Sequence, residues 1–147
     1  MAIKVAFYKA NQPKATWQDK LIAWKTGGIY SHVELILSDG YMYSTSPRDN
    51  GVRKKKHKYD TEVWDYIDLG VPREKEKEIL KFFAATKGKK YDWLGILGFV
   101  LPLADRENKY FCSEWVTKAL IIAHVRKLYT KEPSKESPNS LYFDLTN

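Results

Sequence analysis

The sequence predicts an α+β domain in which a central antiparallel sheet of about five strands is covered by helices. Three observations lead to this class. Segments rich in β-branched and aromatic residues fill the first half of the chain, Asp39-Gly40 marks a hairpin between two of them, and amphipathic helical patterns follow in the second half. A length of 147 residues fits a single domain spanning residues 1–147.

The strands are predicted where β-forming side chains stand between Gly, Pro, Asn or Asp residues that favour turns. They cover residues 3–8, 32–37, 41–45, 52–58 and 62–69. A short helix is expected over residues 17–26, because apolar residues recur there and Gly27-Gly28 follows.

The second half of the chain is predicted to be mainly helical. Pro72 suits the first turn of a helix over residues 72–87, and Gly88 ends it. Asp92 is a candidate cap for a second short helix ending near Pro102, followed by a polar connection over residues 105–109. A further helix is expected over residues 112–127. The tail is predicted to be a loop from which residues 141–143 pack back onto the body.

The charge of +7 comes largely from the run Arg53–Lys58. The simplest interpretation of this run is a solvated loop or strand edge. The alternative is a patch that attracts an anionic polymer or an anionic surface, such as a cell-wall polymer or a membrane. Nucleic acid is not the expected partner, because zinc spacings, helix-turn-helix patterns and aromatic-glycine signatures are all absent.

The remaining composition indicates a chain made in the cytoplasm. One cysteine cannot form an intrachain disulfide, and the N-terminus lacks the apolar stretch of a signal peptide. The most apolar run, Leu94–Ala104, falls short of the roughly 20 residues of a membrane-spanning helix, so no transmembrane segment is expected. No cofactor or metal site is expected either.

The candidate chemistry centres on Cys112, which opens a helical pattern, and on His32, which begins a strand pattern. A thiolate is the reactive form of cysteine, and both a helix N-terminus and a nearby imidazole favour it. His124 is excluded as the partner because it would lie ~18 Å along the same helix. His57 stands in the lysine run, where solvent and positive charge disfavour a base. His32 is therefore the candidate base.

Glu34 is the candidate acceptor that orients His32, because residues two apart on a strand share a face. A two-residue turn would pair Leu37 with Met42 and Glu34 with Thr45. In that register Thr45 lies on the same face of the sheet as His32, and Ser44 lies on the other face. A bulge would exchange the two. Ser44 and Thr45 therefore stay open as third members of the site. The competing interpretation is structural, since a lone buried cysteine usually packs as a small hydrophobe.

Several segments together resemble the circularly permuted branch of the NlpC-type papain-like superfamily, in which the histidine strand precedes the cysteine helix. The similarity extends from Gly27 to Leu141, and some phage-encoded small proteins look similar too. The segments that carry it are Gly28–Leu35, Gly51–Arg53, Lys89–Trp93, Phe111–Val116 and Ser137–Leu141.

This resemblance implies a papain-like fold and a cysteine hydrolase or acyltransferase acting on a peptide, another amide or a lipid ester. Cys112 matches the family nucleophile and His32 its base. Relatives often carry Glu near the position of Ser44 and a small residue near the position of Glu34, so we hypothesise that Glu34 supplies the carboxylate here. The rival hypotheses are a non-catalytic or phage-associated binding module that keeps the fold, and nucleic-acid binding through the basic run.

Overall fold

The computed structural model describes residues 3–46, 49, 51–91, 109–110 and 112–147. Seven strands and four α-helices lie within these residues. The strands are β1 (Lys4–Lys9), β2 (Tyr30–Ile36), β3 (Tyr41–Ser46), β4 (Gly51–Lys56), β5 (Trp64–Asp68), β6 (Lys90–Tyr91) and β7 (Lys109–Tyr110), and the helices are α1 (Trp17–Lys25), α2 (Glu76–Thr86), α3 (Cys112–Ile122) and α4 (Pro138–Thr146).

The main sheet has five antiparallel strands in the order β4-β3-β2-β1-β5. This arrangement confirms the predicted α+β class and the antiparallel sheet for the described part of the chain. Strands β6 and β7 form a separate, short parallel pair. Because β4 and β5 lie at opposite edges, the connection between them crosses one face of the sheet, where Tyr59 stacks on Tyr66.

The opposite face of the sheet carries the hydrophobic core. Alternate residues of the strands point towards it, and α2 and α3 cover them. Tyr43 of β3 meets Phe83 of α2 edge to face at 5.0 Å. Trp115 of α3 is fully buried and donates from Nε1 to the Thr86 hydroxyl at 2.9 Å. This packing fixes the position of α3, whose first residue is Cys112.

The hairpin between β2 and β3 corrects the predicted register. Leu35 pairs with Tyr43 and Ile36 with Met42, one position away from the predicted pairing. The connection is longer than expected because Leu37 N–H donates to Tyr41 O at 3.2 Å, and Gly40 occupies the left-handed region at φ 80°. The observed register places Ser44, rather than Thr45, opposite Glu34.

The C-terminal tail corrects a second prediction, since residues 138–146 form α4 instead of a loop. Ser137 caps this helix in a reciprocal pair with Ser140, and Pro138 occupies its first turn. Leu141 and Leu145 are buried against the core. A Ser-Pro start followed by leucines four residues apart was the signal for this helix.

The end of α3, the segment after Asp92 and the absence of a membrane span are the remaining points of comparison with the sequence. Helix α3 ends at Ile122 rather than near Lys127, and His124 just beyond it adopts a φ of 65°. The short helix predicted after Asp92 and most of the connection over residues 105–109 lie outside the described residues. No helix among the described residues is long and apolar enough to cross a bilayer.

Candidate functional site

Strand β2 presents His32, and the turn before this strand is held by the C-terminal helix. Asn139 Oδ1 accepts from Tyr30 N–H at 3.0 Å, and Asn139 Nδ2 donates to Tyr30 O at 3.1 Å and to Thr26 Oγ1 at 2.7 Å. Gly28 makes this contact possible, because a Cβ there would lie 2.2 Å from Asn139 Oδ1. The start of β2, two residues before His32, is therefore fixed by a chain segment far away in sequence.

Cys112 is the first residue of α3, which packs on β2 and β3. Cys112 raises the pKa of His32 through charge and hydrogen bonding, so its side chain lies within interaction range of the imidazole. The structure therefore brings together the two residues that the sequence analysis paired. Cys112 has no exposed surface, and 18% of the His32 side chain is exposed.

Glu34 contacts the other side of the imidazole. Its Oε2 pairs with His32 Nε2, which leaves Nδ1 as the ring nitrogen that can serve the thiol. Both carboxylate oxygens are also bound by Arg53, with Nη1 donating to Oε1 at 2.7 Å and Nη2 to Oε2 at 2.6 Å. Glu34 has no exposed surface, so these partners compensate a fully buried charge.

Arg53 is the site residue that the sequence analysis missed. The sequence predicts that it belongs to a solvated basic run, but only 14% of its side chain is exposed, and it turns inward to Glu34. Asp49 accepts from Arg53 Nε at 2.9 Å and from Lys55 Nζ at 2.9 Å. Asp49 therefore holds the Nε side of the guanidinium, while Glu34 binds the two Nη atoms. The exposed basic surface of β4 is thus limited to Lys54–Lys56. The only sequence signal for Arg53 was the Gly51–Arg53 segment of the family resemblance.

Ser44 occupies the position between Glu34 and Arg53. It pairs directly with Arg53 on β4, and the observed register continues to place it opposite Glu34 on β2. Neighbouring strands lie about 4.8 Å apart, so Arg53 must reach across β3 to meet the carboxylate. The small side chain of Ser44 leaves that path open. Ser44 and Thr45 are buried, and within the described structure neither hydroxyl has a hydrogen-bond partner.

The charges of the site reinforce one another. Burial lowers the pKa of His32, but Glu34 and Cys112 act against it through charge and hydrogen bonding and raise this pKa to about 9. Burial raises the pKa of Glu34, but His32 and Arg53 outweigh this effect and hold it below its usual value. Despite its burial, Arg53 has a raised pKa because of the adjacent Glu34 and Asp49 carboxylates. At neutral pH the row is therefore an imidazolium, a carboxylate and a guanidinium.

The other two histidines are engaged elsewhere. His57 contacts the Tyr66 hydroxyl through Nε2 at 2.8 Å and Met42 Sδ through Nδ1 at 3.3 Å, and burial lowers its pKa. His124 contacts the Tyr129 hydroxyl at 2.9 Å. The choice of His32 as the candidate base agrees with these contacts.

An aromatic wall stands beside the imidazole. The Trp64 ring lies 6.4 Å from His32 and 5.1 Å from Tyr8, which it meets edge to face. In the described part of the chain, His, Cys, Asp and Glu side chains form no group of three that could hold a metal ion. The site thus combines a thiol, a charged imidazole and a buried carboxylate, with the Trp64 ring beside the imidazole.

Searches of the sequence against protein-family models and against curated proteins find no significant match.

Proposed function

We propose that this protein is a papain-like cysteine hydrolase of the permuted NlpC type, which forms an acyl-enzyme on Cys112. The observation that carries this proposal is that the His32 imidazole contacts the Glu34 carboxylate and is also influenced by the Cys112 side chain. A nucleophile, a base and a group that orients the base are the parts that thiol acyl transfer requires. The proposed substrate is a peptide, another amide or a lipid ester.

In the proposed reaction, a protonated His32 favours the thiolate form of Cys112. The sulfur attacks the substrate carbonyl carbon, and the C=O electron pair moves to oxygen. In this proposal the backbone N–H of Cys112, the first residue of α3, stabilises the oxyanion. When the intermediate collapses, the bond to the leaving amine or alcohol breaks and His32 donates its proton to that group.

Deacylation restores the site. His32, now neutral, takes a proton from water, and the hydroxide attacks the thioester carbonyl. The C–S bond then breaks, releasing the acid and returning the thiolate beside a protonated His32. An alcohol or amine in place of water would make the same site an acyltransferase. Glu34 acts as a positioning residue throughout, because its contact with Nε2 orients the imidazole and favours the protonated form.

The proposal is tested with an activated ester. Wild-type protein incubated with p-nitrophenyl acetate should show, by mass spectrometry of its peptides, an acetyl group on Cys112. Cys112→Ala should show none, and His32→Ala should acylate at least about 100-fold more slowly, since general acid–base catalysis contributes this much. His57→Ala is the matched histidine control and should keep the wild-type rate. Equal acylation of wild type and His32→Ala would contradict the mechanism.

A second candidate function is a non-catalytic binding module that keeps the fold, and one observation favours it. Cys112 is completely buried, so a substrate carbonyl reaches its sulfur only if the covering residues move. A binding module predicts that Cys112 stays unmodified by the ester even after prolonged incubation.

A further inference from the structure

Helix α1 turns an apolar stripe away from the body of the protein. Trp17, Leu21 and Trp24 are 69%, 44% and 71% exposed, and their spacing places them on one face of the helix. The opposite face is the one attached to the fold, where Ala23 is buried and Asp19 accepts a hydrogen bond from Ser31 at 3.0 Å. Two exposed tryptophans beside an exposed leucine indicate an interaction surface.

Lysines border this stripe on both sides. On a helical projection at about 100° per residue, Lys20 lies on one flank and Lys25 on the other. Lys25 Nζ lies 4.6 Å above the centre of the Trp24 ring, so the two side chains form a cation–π pair. Exposed tryptophan and lysine side chains are suited to the headgroup region of anionic bilayers.

We propose that the α1 face formed by Trp17, Lys20, Leu21, Trp24 and Lys25 docks on the surface of an anionic lipid bilayer. Charge complementarity favours this occupant, because phosphate headgroups attract the lysines while the indoles enter the interface. A second copy of the chain fits less well, since pairing two such faces would bring their lysine rows together on molecules that each carry a net charge of +7. This surface is independent of the proposed catalytic activity.

The test is flotation of the full chain with vesicles of phosphatidylcholine and phosphatidylglycerol in equal parts, compared with phosphatidylcholine alone. Wild type should float with the anionic vesicles only. The double variant Trp17→Ala/Trp24→Ala should lose at least about tenfold in partitioning, since it removes the two largest inserting side chains. Phe143→Ala is the matched control, because Phe143 is 63% exposed on another helix, and it should float like wild type.

Two charge-reversal variants distinguish binding through α1 from binding through the basic surface of β4. Lys20→Glu/Lys25→Glu should abolish flotation, whereas Lys54→Glu/Lys56→Glu, which reverses two exposed charges on β4, should reduce it far less. If the β4 variant loses binding and the α1 variant keeps it, the proposal is overturned. It is also overturned if wild type binds neither vesicle, or if sedimentation shows a dimer that the tryptophan variant dissociates without any vesicle binding.

Discussion

Replacing Arg53 by Met tests how the buried carboxylate is held. The guanidinium donates two hydrogen bonds, at 2.7 and 2.6 Å, to a Glu34 side chain that has no exposed surface. Methionine keeps much of the length and apolar volume of arginine but removes both donors and the charge. Of its two charged partners, Arg53 and His32, Glu34 would then keep only His32. One partner is too few to compensate a fully buried carboxylate.

The expected cost is about 3–5 kcal/mol, the range observed when one partner of a buried ion pair is removed. This is a large part of the 5–15 kcal/mol by which a typical domain is stable, and it corresponds to a fall in melting temperature of roughly 10 °C. The assay is urea unfolding at pH 7, followed by circular dichroism. The shift of the urea midpoint gives the loss in free energy of unfolding. An unchanged slope of this free energy against urea concentration indicates that unfolding remains two-state.

Lys54→Met on the same strand is the matched control, because Lys54 is exposed and its loss should change stability by no more than about 0.5 kcal/mol. The double variant Glu34→Gln/Arg53→Met should cost clearly less than the sum of its single variants, since removing the carboxylate also removes the uncompensated charge. Equal losses for Arg53→Met and Lys54→Met, or additive losses in the double variant, would refute this account of the site.

The remaining predictions concern the imidazole, acid stability and the turn before β2. The His32 imidazole should titrate near pH 9 by NMR, and Glu34→Gln should lower that pKa because the carboxylate no longer opposes burial; an unchanged titration would contradict the assignment. Since the pKa of Glu34 is lowered, its stabilisation is present above pH 4.5 and lost as the pH falls through the folded value, so urea midpoints of wild type and Glu34→Gln should converge in acid. Gly28→Ala should cost at least about 2 kcal/mol, and less in an Asn139→Ala background, where the clashing amide is gone; equal costs in both backgrounds would exclude the clash.

The class of the fold could be predicted because it depends on local patterns. Alternating apolar residues and turn residues mark the strands, and the helical repeat at residues 76–86 is unambiguous. The register between β2 and β3 could not be predicted, because one additional loop residue moves every cross-strand pair and the Asp39-Gly40 dipeptide fits more than one loop length. Helix α4 was missed because its short apolar stripe was outweighed by two prolines and scattered charge.

Within the candidate site, the contact between His32 and Glu34 was predictable from their two-residue spacing alone. The role of Arg53 was not, because it depends on β4 lying beside β3 and β3 beside β2, an order that no local pattern contains. A charged run in a sequence is read as exposed by default, and a single inward-facing member of it becomes visible only when the strands are assembled. The exposure of Trp17 and Trp24 could not be predicted either, because it also depends on how the elements are assembled.

The central claim, that His32 activates Cys112, is tested most directly by the rate of Cys112 alkylation at pH 6 and pH 8.5. An ordinary thiol with a pKa near 8.5 would react about 150-fold faster at the higher pH. The ratio of the two rates is the relevant quantity, because burial slows both in the same way as long as the covering residues respond little to pH.

The account predicts a ratio of only a few-fold in wild type and in the His57→Ala control, and a return towards the ordinary ratio in His32→Ala. The ordinary ratio in wild type, unchanged by His32→Ala, would contradict the claim that these two residues form an activated pair.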